Sequence, residues 1–150
     1  MICITGIPGT GKTTICKMLN ENGIKCHGLN KFAMECGAIS DDIVDIDMLM
    51  EKRINFEVVE SHYSHLLDCQ YVIILEDDES QLRNRMHARG YPEEKIEENI
   101  DAQLSGLIYF EAADRLPANH IYTIKENSRS IDEVFKEVIG IILFLNGKVN

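Results

Sequence analysis

The sequence of 150 residues lacks tryptophan, holds only three prolines and has no apolar run long enough to cross a membrane. Its longest apolar stretch near the C-terminus, residues 139–145, is far shorter than the ~20 residues that a membrane span needs. The N-terminus has no charged segment followed by an apolar one, as a secretory signal would. These absences predict a protein that acts without a membrane, and we expect it in the cytoplasm.

Positive charge is also scarce, because 15 lysines and arginines face 25 aspartates and glutamates, which gives a formal net charge of −10. A general nucleic-acid binder needs a basic face that displaces counterions from phosphates. We therefore expect no direct DNA binding. The acidity fits a protein that is simply well solvated, or one that attracts a basic partner.

Disulfide frameworks and zinc knuckles are not indicated, since the five cysteines are odd in number and no two form a C-x-x-C pair. We expect reduced thiols, mostly buried as small apolar residues. A chain of this length with 45% hydrophobic residues can bury ~68–70% of its unfolded surface without such staples. The composition predicts one domain over residues 1–150.

Apolar patterns along the chain predict strands that alternate with helices. Residues 71–75 form an unbroken apolar run, as expected of a strand buried on both faces. Such alternation predicts a parallel sheet covered by helices on both sides. The predicted strands are residues 2–5, 24–29, 56–60, 71–75 and 120–124, and the predicted helices are 12–22, 30–37, one that ends near 53, 79–89, 92–115 and 130–145.

The most specific motif is a phosphate-binding loop, since residues 6–13 read GIPGTGKT and fit G-x-x-x-x-G-K-[ST] between a strand and a helix. Glycines allow backbone amides to turn inward around phosphate oxygens, and the helix that follows directs its positive end at the same anion. Lys12 should reach the β- and γ-phosphates, and the Thr13 hydroxyl should bind Mg²⁺. The motif predicts ATP and Mg²⁺ as ligands. The residues expected to bind the nucleotide are Gly9, Thr10, Gly11, Lys12, Thr13 and Thr14.

The reaction class depends on other segments. A GTPase would carry N-K-x-D late in the chain, whereas residues 30–33 read NKFA and follow the second predicted strand. Arg85 and Arg89 lie four residues apart on a predicted helix that ends at Gly90. Such a pair can neutralise charge on a transferring phosphoryl group, or it can pair with nearby glutamates on a solvated face. Together with the phosphate loop, the arginines favour a kinase.

The string RGYPEEKIEENI at residues 89–100 resembles the short lid of the adenylate kinase isoenzyme 6 (coilin-interacting nuclear ATPase) family. Residues 5–14, residues 59–62 (VESH, where the family has D-x-H) and residues 111–112 are similar to that family as well. The resemblance implies a three-layer P-loop NTPase fold of the nucleoside monophosphate kinase type. Its parallel five-stranded sheet would have the order 2-3-1-4-5. A monophosphate-binding insertion would span about residues 30–54 and a short lid about residues 88–98.

By the same resemblance, Lys12, His62, Arg85 and Arg89 would be catalytic, and Arg89 would also contact ATP. Glu60 would join Thr13 at the metal, although it replaces an aspartate with a longer side chain. His62 would place a water or the phosphoryl group. Its intrinsic pKa near 6.5 also makes it a plausible proton acceptor.

The acceptor site departs from the family, because Met34 stands where the family has an arginine and Met48 where it often has another. Lys31, Lys52 or Arg53 could supply the missing charge. The resemblance implies adenylate kinase and ATPase activity linked to small ribosomal subunit maturation, with AMP as acceptor and ribosomal protein uS11 as partner. Two alternatives stay open: an ATP-switched assembly factor with little kinase activity, and a P-loop kinase that acts on another small acceptor such as a nucleoside or shikimate.

Overall fold

The computed structural model describes residues 1–41 and 43–149. Its centre is a parallel five-stranded sheet in which β1 is paired with β5 on one side and β6 on the other. Strands are numbered along the chain, and two of them, β3 and β4, form a separate hairpin. With this numbering, the order of strands across the sheet is β2-β5-β1-β6-β7. The hairpin was not expected. If its strands are not counted, the succession is the expected 2-3-1-4-5. The sheet strands are β1 (Ile2–Thr5), β2 (Cys26–Gly28), β5 (Val58–Glu60), β6 (Tyr71–Glu76) and β7 (Ile121–Lys125).

Helices cover both faces of the sheet, so the fold is the three-layer α/β arrangement that was predicted. The alternation of side chains along β1 divides the core, since Ile2 and Ile4 pack with one cluster and Cys3 with the other. The helices are α1 (Lys12–Glu21), α2 (Leu29–Glu35), α3 (Ile46–Glu51), α4 (Glu79–Ala88), α5 (Glu93–Leu104), α6 (Leu107–Ala113) and α7 (Ile131–Val149). The cluster that contains Ile2 and Ile4 includes residues of α1 and α7, and the cluster that contains Cys3 includes residues of α2 to α6.

Four segments differ from the sequence-based expectations. The single helix expected over 92–115 is two helices, because Gly106 has a left-handed φ of 69° that ends the first and caps the second. Residues 39–44 contain an antiparallel hairpin, β3 (Ile39–Ser40) with β4 (Ile43–Val44). The second strand is shorter than expected. A single helix turn, Ser64–Leu66, follows β5.

The expectation that all cysteines are reduced is wrong. Disulfides join Cys3 in β1 to Cys69, and Cys16 in α1 to Cys26 in β2, with Cα–Cα distances of 6.0 and 5.3 Å. Cys36 is free. The partners come together only through the packing of strands and helices, so no sequence spacing could reveal them. Among the described helices, none is long and apolar enough to cross a membrane.

Candidate active site

The phosphate loop, residues 6–13, connects the carboxyl end of β1 to the first turn of α1. Its three glycines, Gly6, Gly9 and Gly11, have positive φ angles of 148°, 93° and 86°. A Cβ atom at Gly6 would lie 2.5 Å from the backbone oxygen of Leu75. This glycine is therefore required because the loop passes directly against β6.

Lys12 is the buried cation at the centre of the loop, with only 8% of its surface exposed. Its ammonium group donates to the backbone oxygens of Gly6 and Ile7 at 2.9 and 3.0 Å. Burial lowers the pKa of Lys12 to about 8, and the carboxylates of Glu60 and Glu126 partly oppose that effect. The loop thus concentrates one positive charge among backbone dipoles, as an anion site requires.

The three threonines of the loop have different environments. Thr10 is fully buried and donates from Oγ1 to the backbone oxygen of Ile7 at 3.0 Å, so it braces the turn. Thr13 and Thr14 are exposed in the first turn of α1. The side chains of Thr13 and Thr14 therefore face solvent, whereas the hydroxyl of Thr10 is engaged within the loop.

Glu60 ends β5 beside β1 and is close to Thr13. Burial raises the pKa of the Glu60 carboxyl, and the opposing effects come from Lys12 and from a hydrogen bond with Thr13. A Cβ atom at Gly28 in the neighbouring strand would lie 3.2 Å from Glu60 Oε1, so the carboxylate fits against a glycine. The two residues predicted to hold a metal are thus brought together.

This donor set fits Mg²⁺. A hydroxyl and a carboxylate are hard oxygen ligands, and Mg²⁺ in P-loop proteins keeps several waters and binds substrate phosphates rather than a full protein cage. Among the described residues, no cluster of three or more histidines, cysteines, aspartates or glutamates could hold a metal ion by itself. The arrangement therefore suits a metal that arrives with a nucleotide.

The two predicted arginines lie near the loop in different ways. Arg85 in α4 donates from Nη1 to the backbone oxygen of Gly9 and to Oδ2 of Asp77, both at 2.8 Å. Arg89 follows the last turn of α4, and its positive charge adds to the effect of burial in lowering the pKa of Lys12. The alternative pairing with a nearby glutamate belongs to Arg83, which contacts Glu79 at 2.9 Å.

His62 lies two residues beyond β5 and lines a cleft of about 680 Å³. Partial burial lowers the pKa of His62, and Lys12, Lys95 and His65 add to that effect. The imidazole is therefore neutral near pH 7 and can accept a proton. Pro8 of the phosphate loop lines the same cleft, so the cleft opens beside the loop.

Sequence reasoning missed two carboxylates at this edge of the sheet. Asp77 follows β6, and its carboxylate accepts hydrogen bonds from Arg85 and from the backbone nitrogen of Ser128. Glu126 follows β7 and is 4% exposed. Burial and the nearby Asp77 raise the pKa of Glu126 to about 7. The sequence does contain a signal for both carboxylates, because each directly follows a buried strand. Parallel strands end at the same edge of a sheet, so such residues come together there.

His65 was also missed as a structural residue. It is buried, with Nδ1 3.0 Å from Thr5 Oγ1 and Nε2 3.1 Å from Glu111 Oε1. Thr5 is the last residue of β1, immediately before the phosphate loop. The Thr5–His65–Glu111 chain therefore fixes the start of the loop relative to α6.

Sequence comparison gives the same picture as the geometry. Residues 2–106 match the family described as "AAA domain". A "Putative adenylate kinase" of Thermoplasma acidophilum is 49% identical over 150 residues, which cover 98% of this chain and 100% of the relative. The chain belongs to both families. A further member, a "Putative adenylate kinase" of Archaeoglobus fulgidus, is 36% identical over 95% of this chain and 82% of its own length.

Two solved structures share the fold. Shikimate kinase from Acinetobacter baumannii in complex with shikimate matches with a TM-score of 0.64 at 17% identity, over 95% of this chain and 92% of that chain. A gluconokinase from Sinorhizobium meliloti 1021 matches with a TM-score of 0.58 at 14% identity, over 99% and 94%. At these identities the likeness shows the P-loop kinase fold and says nothing about the substrate.

Proposed function

We propose that the protein is a Mg²⁺-dependent adenylate kinase of the cytoplasm that catalyses ATP + AMP ⇌ 2 ADP. One observation carries the proposal: the cleft that contains His62 opens directly beside the phosphate loop and shares Pro8 with it. A donor nucleotide on the loop and an acceptor in the cleft would then meet at one end. The names of the relatives support AMP as that acceptor.

In the proposed reaction, an oxygen of the AMP phosphate attacks the γ-phosphorus of ATP, and the bond from that phosphorus to the β–γ bridging oxygen breaks. Catalysis of this kind is mainly positioning and neutralisation of charge. Lys12 holds the β- and γ-phosphates, and the backbone amides of Gly9 and Gly11 hold the remaining oxygens. Arg89 adds positive charge from the lid, while Arg85 keeps the loop in place.

Two further residues would complete the site. The hydroxyl of Thr13 and the carboxylate of Glu60 would hold Mg²⁺ or its water ligands, and the bound ion supplies neutralisation of the phosphate charge. Neutral His62 would accept a proton from an AMP phosphate that binds as its monoanion. The segments over residues 30–54 and 88–98 would close over the bound substrates, which excludes water from the phosphoryl group.

The test is to supply ATP and Mg²⁺ with AMP, other nucleoside monophosphates, adenosine or shikimate, and to measure ADP. Turnover that requires AMP supports the proposal. Phosphorylation of a different acceptor would instead identify a P-loop kinase of another specificity. The reverse reaction, in which two ADP yield ATP and AMP, gives an independent check because no hydrolase performs it.

A second candidate is an ATP-switched assembly factor of the isoenzyme 6 type that acts in maturation of the small ribosomal subunit. The net charge of −10 favours it, because opposite potentials speed the encounter with a basic partner such as ribosomal protein uS11. Exposed Leu104, Leu107 and Phe110 near the junction of α5 and α6 supply apolar surface for such a partner. ATP hydrolysis that needs no AMP and rises with uS11 would support this function.

A further inference from the structure

The cleft beside the phosphate loop has two chemically different sides. Its apolar side comes from α2 and the hairpin, with Met34, Ile39 and Val44. Its polar side comes from the start of α5 and the residues before it, including Tyr91, Lys95 and Asn99. An occupant of this cleft should therefore combine an apolar or planar body with a polar end.

The polar side offers donors of hydrogen bonds that are not engaged elsewhere. Asn99 Nδ2 is a buried nitrogen without a hydrogen-bond partner among the described residues. Such a group is costly unless a ligand satisfies it. Lys95 lies four residues earlier on the same helix, so the two side chains share one face.

The charge of the cleft is positive on this side. No carboxylate lines it among the residues that the structure describes, whereas Lys95 does, and His62 lies at the same cavity. The charge of Lys95 contributes to the lowered pKa of His62, which places the ammonium group within electrostatic reach of the imidazole. An anionic group between them would be neutralised from the α5 side.

The cations suggested from the sequence lie elsewhere. Lys31, Lys52 and Arg53 are not among the residues that line this cleft. Arg53 lines a separate cavity with Met1, Leu49 and Leu67. The charge that Met34 cannot supply is therefore available within the same cleft from Lys95 on α5.

We infer that Lys95 and Asn99 bind the phosphate of the phosphoryl acceptor, while Met34, Ile39 and Val44 contact its base. The acceptor is then a nucleoside monophosphate, since adenosine would leave both donors without an anion and shikimate, which has a carboxylate, lacks a planar base to contact Met34, Ile39 and Val44. This inference rests on the proposed function for the identity of the cleft as the acceptor site. It assigns the acceptor's anchor to α5 rather than to the insertion at residues 30–54.

The experiment measures equilibrium binding of AMP and of adenosine by calorimetry to the intact protein, and the KM values for AMP and ATP. The variants are Lys95→Ala and Asn99→Asp, which places a carboxylate where the unpartnered nitrogen lies. Lys136→Ala is the matched control, because Lys136 is also an exposed lysine on a helix but does not line the cleft. Circular dichroism melting verifies that each variant is folded.

In the wild type, AMP should bind more tightly than adenosine. Lys95→Ala should weaken AMP binding and raise KM for AMP about tenfold to a hundredfold, the usual effect of losing a charge-assisted hydrogen bond. Asn99→Asp should have a similar effect, and adenosine binding and KM for ATP should stay within about twofold in both variants. Lys136→Ala should behave as the wild type.

The failures of the two proposals are distinguishable. If AMP stimulates no ADP formation but its binding still depends on Lys95 and Asn99, the adenylate kinase function is wrong and the phosphate anchor stands. If AMP is an acceptor and both variants keep its KM, the anchor is wrong and the function stands. Equal affinity of the wild type for AMP and adenosine would also overturn the anchor.

Discussion

Arg85 and Gly9, 76 positions apart in the chain, are joined by a hydrogen bond of 2.8 Å from Nη1 of the arginine to the backbone oxygen of the glycine. The same nitrogen contacts Asp77 Oδ2 at 2.8 Å, and that carboxylate is almost fully buried. The top of the phosphate loop is thus tied to α4 and to the end of β6. Arg85 therefore positions the loop in addition to any charge it offers to a ligand.

Arg85→Ala should raise KM for ATP about tenfold or more, because the loop loses its tie to α4 and a buried carboxylate loses its partner. Steady-state rates at varied ATP concentration test this. Arg83→Ala is the control, since Arg83 lies on the same helix but pairs with exposed Glu79 and Glu97 instead of the phosphate loop. An unchanged KM for ATP in Arg85→Ala would contradict a positioning role.

Lys12→Ala should abolish turnover, with a loss of roughly a thousandfold or more, since it removes the buried cation at the centre of the phosphate loop. The measurement is ADP formation under saturating ATP and AMP. Lys25→Ala, at an exposed lysine outside the loop, should keep full activity. Substantial activity in Lys12→Ala would mean that residues 6–13 do not bind the transferred phosphate.

His62→Ala should lower kcat while ATP binding stays largely intact, because His62 lines the acceptor cleft rather than the phosphate loop. Loss of a general base typically costs about a hundredfold or more. Titration with ATP by calorimetry, alongside kcat, separates the two effects. Parallel loss of ATP binding would show that His62 has a different role.

Met34→Arg should raise KM for AMP, because a charged side chain replaces an apolar one at the wall that is proposed to contact the base. Met34 is 68% exposed, so the longer side chain can be accommodated without disturbing the core. We expect an increase of about threefold to tenfold, as for the loss of part of one apolar side-chain contact. Met34→Leu keeps the size and apolar character and serves as the control. A lowered KM would indicate that the phosphate, rather than the base, lies at this wall.

Glu126 should make stability fall as pH rises. Its pKa is raised from 4.5 to about 7 in the folded protein, so the folded state binds the proton more tightly than the unfolded state. The resulting stabilisation is complete below pH 4.5 and is lost as pH rises through about 7. Denaturant unfolding at pH 5 and pH 8 measures it.

In Glu126→Gln, this pH-dependent loss should shrink by on the order of 1 kcal/mol, because the amide cannot ionise. Glu137→Gln alters an exposed carboxylate and is the matched control. If Glu126→Gln retained the whole pH dependence of the wild type, the loss would have to arise from another group.

The sequence allowed the phosphate loop and the five sheet strands to be located, because both depend on local spacing and on apolar runs. The split between α5 and α6 was missed because apolar residues continue on both sides of Gly106, and only its left-handed φ reveals the turn. The hairpin has two-residue strands, which are too short for a periodic pattern.

The surroundings of the site were less accessible for a different reason. Asp77 and Glu126 lie 49 positions apart and meet only because β6 and β7 are neighbours in the sheet. Lys95 and Asn99 on α5 become recognisable as ligand donors only when Met34, Ile39 and Val44 complete the cleft. Interactions that arise from topology rather than from spacing could not be predicted from one sequence.

The bond between Cys3 and Cys69 makes a covalent ring of everything from β1 to the segment after β5. That ring contains the phosphate loop, α2, the hairpin and α3, and the Cys16–Cys26 bond forms a smaller ring within it. A protease that cut the chain within the hairpin would leave both fragments attached to each other. They would separate only on reduction, so the phosphate loop and the apolar residues proposed to contact the base stay covalently linked after the cut, whereas Lys95 and Asn99 on α5 lie outside this ring.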